Sequence, residues 1–164
     1  MRQPLREPNA FDACLAVPFG RLGLLTRGEC LTRISFLPPG ESFAPRNPLA
    51  ERACRELERY IADPGYRFDL PLDPEGTDFQ KRVWRAIAAI PKGRTRRYGE
   101  IASEIASAAR AVGQACGSNP IPVVVPCHRV VAAAGLGGFA HQSGGFLLDV
   151  KRWLLVHEGV IRGG

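Results

Sequence analysis

Residues 121–131 read IPVVVPCHRVV, and this stretch restricts the chain more than any other. A short β-branched run bounded by prolines predicts a buried strand. Pro126 must end that strand, because proline lacks the N–H that a ladder needs and restricts the residue before it. The chain then presents Cys127, His128 and Arg129 where a core strand surfaces. A thiol beside an imidazole at such a position has the makings of a nucleophile, since the thiolate is the reactive form and a neighbouring base can generate it.

The other cysteines, Cys14, Cys30, Cys54 and Cys116, add no second site. The total of five is odd and no pair has C-x-x-C spacing, which argues against both a disulfide framework and a zinc centre. They are expected to be small buried apolar residues, and no metal or cofactor is expected. No apolar run is long enough for a bilayer, and the opening MRQPLREPNAF lacks the apolar core of a secretory signal. A cytoplasmic protein with no membrane partner is the expectation.

Charge is distributed unevenly. Residues 73–164 carry five of the six net positive charges, with a dense cluster at Lys92-Gly93-Arg94-Thr95-Arg96-Arg97. A basic half suggests a polyanionic partner, although charge alone fits a solvated surface equally well.

The first half predicts a scaffold. Phe11–Val17, Leu22–Leu25 and Leu31–Phe36 are apolar segments separated by turn residues, as in an antiparallel meander. Leu49, Ala53, Leu57 and Ile61 then recur every four residues, as on one helix face, until Asp63-Pro64-Gly65 stops the pattern. Leu70 to Pro74 forms a plausible linker. In the second half, Thr77-Asp78-Phe79-Gln80 fits a capping box, opening a helix whose core face is Phe79, Val83, Trp84, Ile87 and Ile90.

Two short helices follow, from about Tyr98 to Ser107 and from Ala109 to Cys116, and their close spacing predicts a helix-turn-helix. The second of them is slim: Ala109, Ala111, Gly113 and Ala115 leave Arg110 and Gln114 on a nearly bare rod. A helix that reads the major groove carries long bidentate side chains, so a thin one suits the narrow minor groove, or else simply packs closely on a neighbour. A Gly- and Ala-rich loop, 132–145, could cover a pocket. The last helix, Phe146 to His157, has Leu147, Val150, Leu154 and Leu155 on its apolar side and Gly159 at its C-cap. The fold class is therefore α/β, more narrowly α+β. Residues 1–72 form a small sheet-plus-helix domain, and residues 73–164 a mostly helical domain with a helix-turn-helix.

The segments GTDFQKRVW, IPKGRTRRYGEIA, ARAVGQACGSNP, PCHRV and KRWLLVHEG, in that order, resemble the O6-alkylguanine-DNA alkyltransferases, the methylated-DNA–protein-cysteine methyltransferases. The match runs from about Gly76 to Gly159, and PCHRV with the upstream RAVG and NP is its most specific part. The resemblance implies a ribonuclease H-like first domain and a second domain that binds DNA and accepts the alkyl group. It implies that Cys127 is the acceptor thiol, that His128 deprotonates it through a water, and that Glu158 orients this relay. Asn119 would hold the turn and line the site, and Tyr98 would help to rotate the nucleotide out and donate a proton to the guanine. Arg110 would fill the vacated stack, with Thr95, Gln114 and Arg129 also on the DNA side. The partner implied is double-stranded DNA carrying O6-alkylguanine, bound through its minor groove by a monomer.

The chemistry suits those residue types. Alkyl carbon on a guanine oxygen calls for a soft nucleophile, and a free thiol, mostly protonated at neutral pH, needs a base. A carboxylate behind the imidazole fixes its tautomer. A minor-groove binder reaches the modified oxygen only if the base is flipped. The thioether product has no route to hydrolysis, so one turnover per molecule is expected. Two other readings remain open on sequence: a non-catalytic module that binds alkylated DNA and recruits repair factors, and a Cys–His hydrolase. The chain also departs from the family pattern. The turn between the DNA-contacting helices is shorter, and the loop after Gly138 is longer, with Phe139-Ala140 where a Tyr and a small residue are common. Ser143 is the candidate to supply the missing hydroxyl.

Overall fold

The structure, a computed structural model, describes residues 10–139 and 144–163. Ala140 to Ser143, and with them the expected role of Ser143, lie outside the described residues. The chain divides into two compact units, Met1–Asp73 and Pro74–Gly164. Among the described residues no helix is long and apolar enough to cross a membrane.

In the first unit, β1 (Ala13–Val17), β2 (Gly20–Arg27) and β3 (Cys30–Leu37) form an antiparallel sheet in that order. Gly20 and Gly28 adopt positive φ at the two hairpins, which explains glycine there. A bulge at Leu25/Thr26 shifts the β2–β3 register. The helix α1 (Pro48–Ala62) starts on Asn47, whose side chain accepts from the Ala50 amide at 2.8 Å. Its buried stripe is Ala50, Ala53, Cys54, Leu57 and Tyr60, whereas the expected Leu49 and Ile61 are only half-buried. A strict four-residue repeat drifts off a helix of 3.6 residues per turn, so the stripe steps by three as well as four.

In the second unit, α2 (Asp78–Ala88) opens on the expected capping box: Gln80 N donates to Thr77 Oγ1 at 3.1 Å, and Thr77 N to Gln80 Oε1 at 2.9 Å. Val83, Trp84, Ile87 and Ile90 are buried, and Phe79 half-buried. The Trp84 indole donates to the Ala115 carbonyl at 2.8 Å, tying α2 to α4 (Ala109–Gly117). Between them lie β4 (Arg96–Arg97) and α3 (Tyr98–Glu104). The α3–α4 turn closes tightly, with Ala106 at φ 55° and the Ser107 amide donating to Ala102 O at 2.8 Å. The unit ends with β5 (Val130–Val131), parallel to β4, and α5 (Gly145–His157).

The run IPVVV is not a strand. Ile121, Val123 and Val125 are buried as its composition demands, but the backbone turns on itself, with Val125 N donating to Ile121 O at 2.9 Å. Val123 has φ 74°, a conformation that a β-branched residue adopts only under constraint. The constraint is Asn119. Its Oδ1 accepts from the Ile121 amide at 3.0 Å and its Nδ2 donates to the Val125 carbonyl at 2.8 Å. A side chain thereby satisfies polar groups that a ladder would otherwise have paired.

Candidate active site

Pro126 ends this turn, and Cys127–Arg129 form a single 3-10 turn that leads into β5. Cys127 is buried, and Asn119 Nδ2 donates to its Sγ at 2.9 Å. The residue that shapes the turn thus also holds the sulfur. Burial pushes the Cys127 thiol well above its ordinary pKa, aided by the neighbouring Cys116 thiol. The Asn119 hydrogen bond and the positive charge of Lys151 act the other way.

His128 has no exposed surface. Its Nε2 lies 2.8 Å from Glu158 Oε2, at the C-terminal end of α5. Glu158 is equally buried and also receives Arg129, from Nε to Oε1 at 2.8 Å and from Nη2 to Oε2 at 3.0 Å. A carboxylate held by a bidentate guanidinium accepts hydrogen bonds, so the imidazole proton sits on Nε2 and Nδ1 carries the lone pair. Nδ1 is buried and has no hydrogen-bond partner among the described residues. Burial holds the imidazole pKa below its ordinary value against the opposing pull of Glu158, which keeps His128 neutral and able to accept a proton.

The sequence placed Arg129 on the DNA side. The structure turns its guanidinium inward to Glu158, and Nη1 donates to the Ile90 carbonyl at 2.7 Å. The reason is electrostatic: a carboxylate withdrawn from water requires a charged partner.

A cleft of about 370 Å³ opens onto the sulfur. Tyr98, Arg110, Gly113, Cys116, Cys127 and Phe139 are among the residues that line it. Tyr98 owes its place to the β4–β5 pairing, which sets the first residue of α3 beside the strand that leaves the cysteine turn. Its hydroxyl donates to Gly138 O at 3.3 Å, and burial pushes its pKa up to about 12, so it remains a proton donor. Gly137, at φ 74°, is required here, because a Cβ would stand 2.9 Å from the Tyr98 ring. Arg110 is exposed at the cleft mouth on α4. Thr95 and Gln114 are exposed and are not among the lining residues.

Sequence reasoning missed Lys151. It is fully buried, and its Nζ donates to three carbonyls, Val130 at 2.8 Å, Leu136 at 2.5 Å and Gly138 at 2.9 Å. All three N–H groups are used, and they pin the 130–138 segment to α5. Desolvation brings its pKa down to about 8. The signal was legible: Lys151 lies four residues after Leu147 and four before Leu155, inside the apolar stripe. Among the described residues no cluster of three His, Cys, Asp or Glu side chains could hold a metal ion.

Residues 78–160 match the family described as 6-O-methylguanine DNA methyltransferase, DNA binding domain. A methylated-DNA–protein-cysteine methyltransferase of Methanosarcina acetivorans is 49% identical over 158 residues, covering 91% of this chain and 98% of the relative. Among solved structures, the Mycobacterium tuberculosis O6-methylguanine methyltransferase has a TM-score of 0.74 at 41% identity, covering 92% of this chain and 93% of that one. A Mycobacterium tuberculosis protein solved in complex with DNA has a TM-score of 0.75 at 40% identity, covering 90% and 92%.

Proposed function

This chain belongs to the 6-O-methylguanine DNA methyltransferase family, and from that premise we propose that it repairs DNA by moving an alkyl group from guanine O6 to Cys127. The supporting observation is the buried His128–Glu158 pair, which leaves Nδ1 as a lone-pair acceptor one residue from the thiol. In this reading the Cys127 proton passes through a water to Nδ1, and His128 acts as the general base. The sulfur attacks the alkyl carbon in line, the carbon–oxygen bond breaks, and a thioether forms. The electron pair left on the guanine is neutralised by a proton from Tyr98, whose raised pKa keeps the phenol protonated until the base accepts it. Lys151 and the Asn119 amide favour the transient thiolate against the burial that opposes it.

Arg110, at the cleft mouth on a helix of small residues, is assigned to the space the flipped nucleotide leaves. That slim helix is assigned to the minor groove, and the basic stretch before Tyr98 to phosphate contacts, with the protein acting as a monomer. Arg129 is assigned to positioning Glu158. Asn119 is assigned a double task, shaping the cysteine turn and donating to the sulfur.

Exposure to duplex DNA containing O6-methylguanine should add one methyl group to one peptide, the one bearing Cys127, with no further gain on longer incubation. Cys127→Ala should gain nothing. Unmodified Cys127 under conditions where an active relative is methylated would exclude the transfer reading.

A further inference from the structure

The cleft holds a second thiol that the transfer chemistry leaves unused. Cys116, on the last turn of α4, is buried and lines the same cleft as Cys127. Asn119 ties the two together: its amide N–H donates to the Cys116 carbonyl at 3.2 Å, and its side chain donates to Cys127 Sγ at 2.9 Å. The Cys116 thiol bears on the Cys127 thiol from within that cleft and pushes its pKa up. Both are free thiols.

A single-use acceptor has a particular vulnerability, since oxidation of its sulfur to a sulfinic acid ends its working life as surely as alkylation does. We infer that Cys116 is a resolving thiol for Cys127, forming a reversible disulfide with it when a peroxide enters the cleft. The Cys127 sulfur attacks one peroxide oxygen, the O–O bond breaks, and a sulfenic acid forms with release of water or an alcohol. The Cys116 sulfur then attacks the sulfenyl sulfur, the S–O bond breaks, and a second water leaves. Each sulfur loses one electron and the peroxide gains two. A small dithiol reverses the bond by exchange, returning both thiols and, with them, the acceptor. Burial makes Cys127 slow toward oxidant, so the neighbour matters chiefly for what happens after a hit.

This inference rests on Cys127 as acceptor for its biological consequence, but its chemistry is read separately. The intact chain is treated with a few equivalents of hydrogen peroxide, alkylated without reduction, and mapped by mass spectrometry. Alkyl transfer is measured before treatment, after it, and after dithiothreitol, each protein against its own untreated level. Wild type should lose the mass of two hydrogens, yield one linked peptide joining Cys116 to Cys127, and regain most of its lost transfer on reduction. Cys116→Ser and Cys116→Ala should instead accumulate added oxygen on the Cys127 peptide, with little transfer recovered. Added oxygen on Cys127 of wild type without a linked peptide would overturn the inference, as would a linkage confined to Cys14 and Cys54. Equal recovery by wild type and both variants would overturn it too. Absence of transfer in untreated wild type would count against the repair reading alone, because the peptide map stands without it.

Discussion

Replacing Arg129 by methionine tests whether the charged cluster behind the cysteine is held together as the geometry indicates. The change keeps most of the aliphatic stem but removes two hydrogen bonds to a fully buried carboxylate and one to the Ile90 carbonyl. Breaking one side of a buried ion pair costs about 3–5 kcal/mol, because the remaining charge stays desolvated. At a urea dependence of about 1–1.5 kcal/mol per M, the midpoint should fall by about 2–5 M. Both tryptophans, Trp84 and Trp153, lie in residues 74–164, so their fluorescence follows the unit that contains the cluster. The exposed pair Arg96–Glu104 in the same unit serves as control, and Glu104→Gln should cost less than about 1 kcal/mol. Combining Arg129→Met with Glu158→Gln removes the stranded charge, so the double variant should recover at least about 1–2 kcal/mol over Arg129→Met. A single-variant loss no larger than that of Glu104→Gln, or a double variant less stable than Arg129→Met, would refute the claim that buried charge compensation places Glu158 behind His128.

Three further outcomes are expected. His128 has its folded pKa below the ordinary 6.5, so the unfolded chain binds the extra proton as pH falls through that value, and stability declines below about pH 6.5; urea midpoints at pH 7.5 and 5 should differ less in His128→Asn than in wild type, and equal differences would contradict the burial of a neutral imidazole. Tyr98→Phe removes the phenol proton but keeps the ring, so single-turnover transfer should slow by about 10²-fold while DNA affinity holds, and rates within about twofold of wild type would remove Tyr98 from the reaction. Ala106 sits at φ 55° in the α3–α4 turn, so Ala106→Gly should raise stability by about 0.5–1 kcal/mol, visible as a higher urea midpoint.

Where side chain and backbone act locally, the sequence was enough. Thr77 and Gln80 close a capping box within four residues, and Gly159 takes the positive φ that ends the last helix. The antiparallel meander and the α3–α4 pair follow from apolar spacing and turn residues, which are short-range signals. Cys127 and His128 stood out because their chemistry is carried by adjacent residues. The family motifs added Tyr98, Arg110, Asn119 and Glu158 as expectations.

Long-range pairing was beyond such signals. Three valines predict a strand on propensity, yet Asn119 reaches over them to bond Ile121 and Val125, and the run becomes a turn. Arg129 reads as a surface cation until a buried carboxylate 29 positions away claims it. The apolar stripe marks Lys151 as buried but not what it touches, and Cys116 passes for an ordinary core thiol, until the fold sets one on three carbonyls and the other in the cleft of the reactive sulfur. The residue types that make the reaction possible are written in the chain. Which atom each of them touches, and so whether a proton has somewhere to go, is decided by desolvation and charge pairing, and those exist only once distant segments have packed.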